Sequence, residues 1–413
     1  MQNLSIDIWI FIYFRLVKKH EQVLCSGKVY DIIRIKLYIF TLKIKEVISV
    51  NLKNSIKLLL ITALSAAVCV SACACASQPE TQQSTTDVPT TAKATEAAST
   101  EPRKIIIDSD TGADDASALI LAAKQENVEI LGVTVLVGNV DLEQSGKNAL
   151  AALELAGCDA PVYKGSADTF TGELKYAYSV FGNDGMGDAG LIHPKKQAEE
   201  GGAVDFIIDT VKNNPNEVEI ISLGPSTNIA KAIKKAPDEM KKVKRIWTMG
   251  TAGLGSGNAS PVAEFNVYAD AEAFKIMLDS GLPITVIGLD MCDGDAQWTD
   301  EQFVQLEALN ETGRFVAKSF GKIREFYKKN GSESVMNCDA LAMMCVLYPG
   351  FVRKTINTHA SCITDHSEAY SQVIFYKEGF TYDMIKNDFE YHVVLVSEVN
   401  KSAYFNAYLK AIK

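Results

Sequence analysis

The sequence predicts an α/β protein in which one large Rossmann-like domain, residues 103–413, is built on a mostly parallel central sheet. Short apolar runs rich in Ile and Val alternate with segments of helical spacing through this region, which is typical of a parallel sheet covered on both faces. Polar residues recur where the apolar runs end, and open α/β sheets bind ligands at those ends. No internal repeat divides the region, so we expect a single domain.

The first predicted strand leads into the most informative stretch of the chain, KIIIDSDTGADD at 104–115. Ile105–Ile107 are typical of a short buried strand, and helical spacing runs from Ala113 to Lys124. An acidic cluster lies between the two elements, and Gly112 lets the backbone turn sharply within it. The cluster consists of Asp108, Asp110, Asp114 and Asp115.

Four carboxylates this close repel one another, although a helix N-terminus favours negative charge. A cation normally balances such a cluster, and a site made of oxygen ligands suits Ca²⁺ or Mg²⁺. A solvated acidic turn with a helix cap is the alternative, but a cap needs only one carboxylate. An EF-hand is excluded, because the twelfth residue from Asp108 is Leu119 where a bidentate Glu is required.

The remaining elements continue the alternation of strand and helix. Predicted strands are 129–137, 162–163, 218–223, 243–249 and 284–289, and predicted helices are 142–155, 206–212, 226–235 and 271–279. A glycine-rich loop, 250–257, follows the fourth of these strands. Towards the C-terminus the pattern predicts long helices near 300–329, a helix at 339–347 and an apolar strand near 391–396.

Polar side chains mark the ends of several predicted strands. Asn139 closes one strand, and Leu223–Asn228 joins another to a helix. Asn258, Glu264 and Asn266 follow the glycine-rich loop, and Asp339 begins a helix. Each residue alone is more typical of a turn or a cap. Together they supply amides and carboxylates that can hydrogen-bond a polyhydroxylated ligand beside one metal.

The first hundred residues differ in kind from the predicted domain. Residues 53–73 join a positively charged start to an apolar core followed by small residues, which is typical of a secretory signal peptide. Val70–Cys73 resembles a bacterial lipobox. We therefore expect an exported protein, lipid-anchored at Cys73 on the outer face of a bacterial cytoplasmic membrane; simple cleavage near Ala76 is the alternative.

The segments on either side of this signal carry no domain of their own. Residues 1–52 form an upstream extension, either a misassigned start or a membrane-associated segment, and their apolar run at 8–14 is too short to span a bilayer. Residues 74–102 are mostly Ser, Thr, Ala, Pro, Gln and Glu. Such a composition cannot bury a core and predicts a disordered linker.

The charge limits the binding partners expected for the protein, and the cysteine content limits the metal sites and disulfides. The formal net charge is −10, and it becomes more negative without residues 1–72, so nucleic acid is a poor partner. Membrane contact is expected only through the lipid anchor. The domain contains an odd number of widely spaced cysteines without a CxxC zinc pattern, and the sequence leaves their pairing open: Cys158, Cys292, Cys338, Cys345 and Cys362.

Three segments together resemble one enzyme family. DSDTGADD resembles the DxDxGxDD signature of the inosine–uridine-preferring nucleoside hydrolases. LGPSTNIA at 223–230 is similar to that family's TGPLTNIA, and GNASPVAEFNVYADAEA at 257–273 to its GNxTPxAEFNxxxDPEA. The agreement in order and spacing runs from Lys104 to Leu347. It implies Ca²⁺-dependent hydrolysis of the N-glycosidic bond of ribonucleosides, or related N-ribosides, to ribose and free base.

The resemblance also implies roles for individual residues. The ligands of one Ca²⁺ would be Asp110, Asp115, the backbone carbonyl of Leu223 and Asp339, with the ribose 2′ and 3′ hydroxyls completing its shell. The ribose hydroxyls would be bound by Asp114, Asn139, Asn258, Glu264 and Asn266. Asp110 would act as general base on a metal-bound water, while nearby carboxylates stabilise an oxocarbenium-like state. Family members are often dimers or tetramers, so a homo-oligomer is expected by analogy.

Two positions depart from the family pattern. Many relatives have a histidine just before the last metal-binding aspartate, where this chain has Cys338; a second family histidine corresponds to Phe181 in FGNDGMG. A thiol donates a proton to a leaving base less readily than an imidazolium, and phenylalanine can only stack on it. We assign Cys338 to the catalytic position and Phe181 to the substrate-binding surface.

Two other functions compete with the nucleosidase. A phosphatase of the haloacid dehalogenase type also begins with a strand and DxD, with Asp108 as nucleophile and Asp110 as acid around Mg²⁺. It leaves the second aspartate pair and the AEFN segment unexplained. The other candidate is a surface-tethered riboside-binding protein with weak or no catalysis, because the family histidines are replaced by Phe181 and Cys338.

Overall fold

A nine-stranded sheet organises the part of the chain that the computed structural model describes, which is residues 102–200, 202–379 and 389–413. Three predicted segments lie outside these residues: the upstream extension 1–52, the signal peptide 53–73 with Cys73, and the linker 74–102 except Pro102. In the described ranges, no helix combines the length and the apolar character needed to cross a bilayer.

The sheet is mostly parallel, as predicted. Its strands are β1 Arg103–Ser109, β2 Val128–Val135, β3 Val162–Lys164, β4 Glu219–Ser222, β5 Arg245–Met249, β6 Ile284–Ile287, β9 Val352–Cys362, β10 Val373–Lys377 and β11 Val393–Val399. Their order is β10-β9-β11-β6-β5-β4-β1-β2-β3. Only β9 runs against its neighbours, pairing antiparallel with β10 and β11. A separate two-stranded sheet joins β7 Trp298–Thr299 to β8 Ser334–Val335.

Helices cover both faces of the sheet. The helices preceding residue 280 are α1 Ala113–Ala123, α2 Leu142–Ala156, α3 Tyr178–Phe181, α4 Ala203–Asn213, α5 Thr227–Lys235, α6 Pro237–Met240, α7 Phe265–Ala269 and α8 Ala271–Leu278. Those that follow are α9 Asp300–Leu309, α10 Glu311–Ser319, α11 Gly321–Lys329, α12 Cys338–Leu347 and α13 Tyr404–Ala411.

Strand β1 lies where the strand order reverses direction. It pairs in parallel with β2 on one side and with β4 on the other. Strands β2 and β3 extend the sheet on the first side, and the strands from β4 onwards extend it on the second. Ile105–Ile107 are fully buried, as their uninterrupted apolar run predicts for a central parallel strand. The carboxyl ends of β1, β2 and β4 therefore form a crevice of the kind in which α/β sheets bind ligands.

The C-terminal part differs from the prediction in two ways. The expected long helices near 300–329 are three short ones. The chain is extended at Asn310, whose side chain caps α10 by accepting from the Gly313 amide, and a second break at Phe320 separates α10 from α11. The antiparallel strands β9 and β10 were not predicted. Strand β9, VRKTINTHASC, is polar and partly exposed, and β10, VIFYK, is a short run that is only partly buried.

A cluster of aromatic rings packs the C-terminal helix beside the sheet. Trp298 is fully buried at its centre, and five rings surround it: Phe303, Phe320, Tyr404, Phe405 and Tyr408. Three of the five belong to α13. Aromatic contacts of this kind add to the free energy of burial, so α13 is firmly attached close to helices α1 and α12.

Candidate active site

The N-terminal turns of two packed helices, α1 and α12, bring three carboxylates together. Asp114 and Asp115 lie in the first turn of α1, and Asp339 lies in the first turn of α12. One oxygen from each carboxylate lies within 4.8 Å of the other two. Asp115 and Asp339 are buried and Asp114 is partly buried. Buried carboxylate oxygens at this spacing are suitable ligands for a hard divalent cation.

Asp115 is held in place by three hydrogen bonds. Its Oδ1 accepts from Ser109 Oγ at 2.7 Å, and its Oδ2 accepts from the Gly112 amide at 2.9 Å. Asn139 Nδ2 donates to the same Oδ2 at 3.1 Å. These bonds tie the start of α1 to the end of β1 and to the loop after β2, so the carboxylate has little freedom to rotate.

Asp110 is fully buried just beyond β1, with one oxygen bonded and one unpaired. Its Oδ2 accepts from the Asn139 amide at 2.6 Å, whereas Oδ1 has no hydrogen-bond partner among the described residues. Two glycines make room for it: a Cβ would lie 2.7 Å from Asp110 Cγ if added at Gly138, and 2.8 Å from Oδ1 if added at Gly224. The unpaired oxygen is therefore held at a fixed position.

Burial and mutual repulsion make the cluster unfavourable to ionise. Burial, and then repulsion from Asp115, raises the pKa of Asp114 to about 8. The pKa values of Asp110 and Asp339 are raised well above the ordinary range for the same two reasons. Burial also raises the pKa of Asp115, against the hydrogen bonds from Gly112 and Ser109. A cation would favour the ionised forms, and Asp114 Oδ1 is also unpartnered and buried, so these residues fit a metal.

The predicted metal ligands divide into two groups. Asp115 and Asp339 belong to the three-carboxylate cluster, which also contains Asp114, a residue expected to bind ribose. Asp110 lies outside this tight group but close enough for Asp115 and Asp114 to raise its pKa. The Leu223 carbonyl accepts from Asn266 Nδ2 at 2.7 Å. A carbonyl oxygen has a second lone pair, so this bond leaves Leu223 capable of ligation.

The residues expected to bind ribose line the adjoining loops. Glu264 is buried and caps α7, with Oε1 accepting from the Asn266 amide at 2.9 Å and Oε2 from the Thr251 amide at 3.2 Å. Burial raises the pKa of Glu264 to about 7. Asn258 is exposed and accepts from the Phe265 amide at 2.9 Å. The polar side chains of this segment thus fix the backbone, and Glu264 lies close enough to Asp114 to raise the pKa of Asp114.

Asp108, the first acidic residue of the signature, is bonded within the fold. It is fully buried, and its Oδ1 accepts from Thr134 Oγ1 at 2.6 Å and from Asn228 Nδ2 at 2.8 Å. These bonds connect β1 with β2 and α5. A phosphatase nucleophile must be accessible to its substrate, so the burial of Asp108 disfavours the phosphatase hypothesis.

Phe181 and Cys338 border the acidic turn. Phe181 ends α3, and its Cδ1 would lie 3.1 Å from a Cβ added at Gly112. Cys338 begins α12 and is buried beside the Cys292 thiol. A hydrogen bond with Cys292, together with burial, raises the pKa of Cys338 well above that of an ordinary thiol. Cys338 is therefore neutral, and both cysteines are free.

Sequence reasoning missed Tyr327 and Cys292 at this border. Burial raises the pKa of Tyr327, and the nearby Cys338, Cys292 and Asp114 raise it further. Helix α11, which carries Tyr327, packs against α3, which carries Phe181. The surrounding sequence REFYKK is typical of an exposed charged helix. Cys292 follows a strand and belongs to no recognisable motif. Neither position gives a local signal.

Comparison with known proteins identifies relatives along the described domain. The sequence model of the inosine-uridine preferring nucleoside hydrolases matches residues 105–406. The chain is 35% identical over 309 residues to an uncharacterised protein of Schizosaccharomyces pombe, covering 72% of this chain and 99% of the relative. It is 35% identical over 274 residues to uridine nucleosidase 1 of Arabidopsis thaliana, covering 63% and 80%.

A solved structure extends the comparison to the fold. The purine-preferring ribonucleoside hydrolase from Gardnerella vaginalis superposes with a TM-score of 0.69 at 30% identity, covering 75% of this chain and 98% of that one. The relatives therefore include proteins named for a pyrimidine nucleoside and for purine nucleosides.

Proposed function

Because the chain belongs to the inosine-uridine preferring nucleoside hydrolase family and is thus an N-glycosyl hydrolase of ribonucleosides, we propose that it uses calcium and that Asp110 is its general base. The observation that carries this proposal is the meeting of Asp114, Asp115 and Asp339 at two helix N-termini. The unpaired Asp110 Oδ1 beside them supports it.

The proposed calcium ligands come from both ends of the domain. Asp115 and Asp339, on the two helices, would hold the ion, and Asp110 and the Leu223 carbonyl would complete the protein ligands. Asp114 Oδ1, which is buried and unpartnered, is then left to accept a ribose hydroxyl. When bound, calcium neutralises the carboxylates, orders the two neighbouring hydroxyls of ribose and makes water easier to deprotonate.

Asp110 is suited to take a proton from the attacking water. Its Oδ2 is committed to the Asn139 amide, which orients the carboxylate and leaves Oδ1 available. A cation beside it would favour its ionised form, in which it can accept a proton. Positive charge develops on the sugar as the glycosidic bond breaks, and the carboxylates of Asp114 and Glu264 stabilise that charge.

Phe181, Cys338 and Tyr327 border the space left for the base. The Phe181 ring supplies a stacking surface. The neutral Cys338 thiol, with its raised pKa, is a weak proton donor to a departing purine. We propose that the leaving base therefore receives little acid catalysis from this position, and that turnover is slower than with an imidazole there.

The test is ribose release from a panel of nucleosides, with added calcium and with a chelator. We expect release that requires calcium, and Asp110→Asn is expected to lower kcat by about 10³-fold, within the range for general-base catalysis. Asp238→Asn, at an exposed surface aspartate, is the control and should keep full activity. Tight riboside binding without ribose release would support the tethered binding protein instead.

Export and anchoring are a separate proposal that rests on residues 53–73. We propose that Cys73 is lipidated, which would hold the enzyme at the outer face of the cytoplasmic membrane. Labelling with tritiated palmitate in a bacterial host should mark the wild-type chain and not Cys73→Ala. Equal labelling of both chains would contradict the anchor.

A further inference from the structure

Two tyrosines of the C-terminal helix hold the backbone of both helices that carry the carboxylate cluster. Tyr404 and Tyr408 are four residues apart on one face of α13, and both are fully buried. Tyr404 donates to the Asn337 carbonyl at 2.9 Å, two residues before Asp339. Tyr408 donates to the Ser117 carbonyl at 3.2 Å, two residues after Asp115. One helix thus holds both halves of the cluster.

Ser117 and Asn337 also touch each other. Ser117 Oγ lies 3.1 Å from Asn337 Oδ1 and 2.7 Å from the Asp114 carbonyl oxygen. Both side chains are buried, with 0% and 1% of their surfaces exposed. Their contact joins residues 220 positions apart in the sequence. It joins the two helices two residues away from Asp115 and from Asp339.

These contacts oppose a repulsion that the fold creates. The first turns of α1 and α12 bring like charges within 4.8 Å of one another, and without a cation that repulsion favours separating the two helices. Hydrogen bonds from a third, firmly packed helix resist this separation. Ligands held at the correct spacing before binding lose less freedom when the ion arrives, so affinity rises.

We propose that Tyr404 and Tyr408, with the Ser117–Asn337 contact, are positioning residues that set the affinity of the site for its metal without touching it. We call these four residues the brace. The inference rests on the proposed function, because it requires that a metal binds between α1 and α12.

The chain offers a matched control at the far end of the same two helices. Tyr348 directly follows α12, and its hydroxyl donates to Gln125 Oε1 at 2.6 Å, just beyond the end of α1. Tyr348→Phe therefore removes a tyrosine hydrogen bond between the same two chain segments, but away from the carboxylates. A purely structural loss should look the same for Tyr348→Phe as for Tyr404→Phe.

The experiment is calorimetric titration of calcium into the full-length chain after chelation, with thermal melting of the metal-free protein. Tyr404→Phe and Tyr408→Phe are each expected to weaken calcium binding about threefold, and the double variant about tenfold, as net hydrogen-bond free energies allow. Tyr348→Phe should bind calcium like wild type while lowering the melting temperature by a similar amount. Saturating calcium should restore kcat in the brace variants.

Ser117→Ala is a second, smaller change, and it should also weaken calcium binding if the brace acts as proposed. If the Tyr404→Phe/Tyr408→Phe double variant and Ser117→Ala both bind calcium with wild-type affinity, the proposal for the brace is wrong and the proposed metal site stands. If the wild-type chain binds no calcium, both the proposed metal site and the proposal for the brace are wrong.

Discussion

The half of the crevice proposed to bind the metal and ribose is built differently from the half proposed to face the base. In the first half, buried carboxylates are fixed by backbone amides, by Asn139 and by two glycines that fit around Asp110. In the second half, the groups are Phe181 on a one-turn helix and the free thiols of Cys292 and Cys338, whose pKa values are raised. In the proposed mechanism, the first half carries out the hydrolysis, and the second half determines the choice of base and its rate of departure.

Among changes that keep the proposed catalytic and ligand residues themselves, the largest effect should come from adding one methyl group beside Asp110. Gly138→Ala would place a Cβ 2.7 Å from Asp110 Cγ, so the carboxylate has to move. Misplacing a catalytic group by about 1 Å can cost about 10²-fold in rate, and we expect kcat to fall by that factor with little change in folding.

Gly146→Ala, whose Cβ would have no neighbour closer than 3.6 Å, is the matched control for this variant. It lies inside α2 and should be stable and active. A folded Gly138→Ala enzyme with wild-type kcat would show that the position of Asp110 does not control the reaction.

A smaller effect is expected from changing the base half. Cys338→His, combined with Cys292→Ala to make room for the larger ring, should raise kcat for purine nucleosides about tenfold, because an imidazolium is a better general acid than a neutral thiol. Cys338→Ser supplies a hydroxyl of similar size and should leave kcat near the wild-type value. Equal gains for the histidine and serine variants would assign the effect to packing rather than to proton donation.

The smallest expected effect is on stability. A carboxyl with a raised pKa keeps its proton in the folded state after the unfolded chain has lost it, so stability falls as pH rises between the two pKa values. For Asp114 that interval runs from about 4 to about 8, and Asp108 and Glu264, with pKa values of about 6 and about 7, act in the same direction. The metal-free protein should therefore lose stability from pH 5 to pH 8.

Urea unfolding at pH 5, 6.5 and 8, with chelator and with calcium, measures this dependence. Calcium should remove most of the decline, since the ion favours the ionised carboxylates. A metal-free protein that gains stability over the same range would contradict the repulsion assigned to the cluster.

The sequence predicts well what depends on local pattern. The apolar run of β1 and the helical spacing of α1 place Asp115 at a helix start, and the AEFN segment places Glu264 at the cap of α7 and Asn266 within that helix. The family, the enzyme class and the mostly parallel sheet are confirmed. Lipidation and oligomeric state stay predictions, because they concern residues or contacts outside the described structure.

What the sequence does not predict depends on pairing between distant residues. Two contacts follow from how α12 packs: Ser117 with Asn337, and Cys292 with Cys338. No periodic pattern in the sequence indicates that either pair is in contact. The break at Asn310 depends on one side chain capping the next helix. Tyr327 is only partly buried, and the charged sequence of its helix gives no indication of its position.

The most direct test of the account is a crystal structure of the chain with calcium and a ribose analogue. We expect one anomalous peak between the carboxylates of Asp115 and Asp339, with ligand oxygens at about 2.3–2.6 Å and the two neighbouring ribose hydroxyls among them. A ribose analogue bound in the crevice with no ion between those two aspartates would contradict the account.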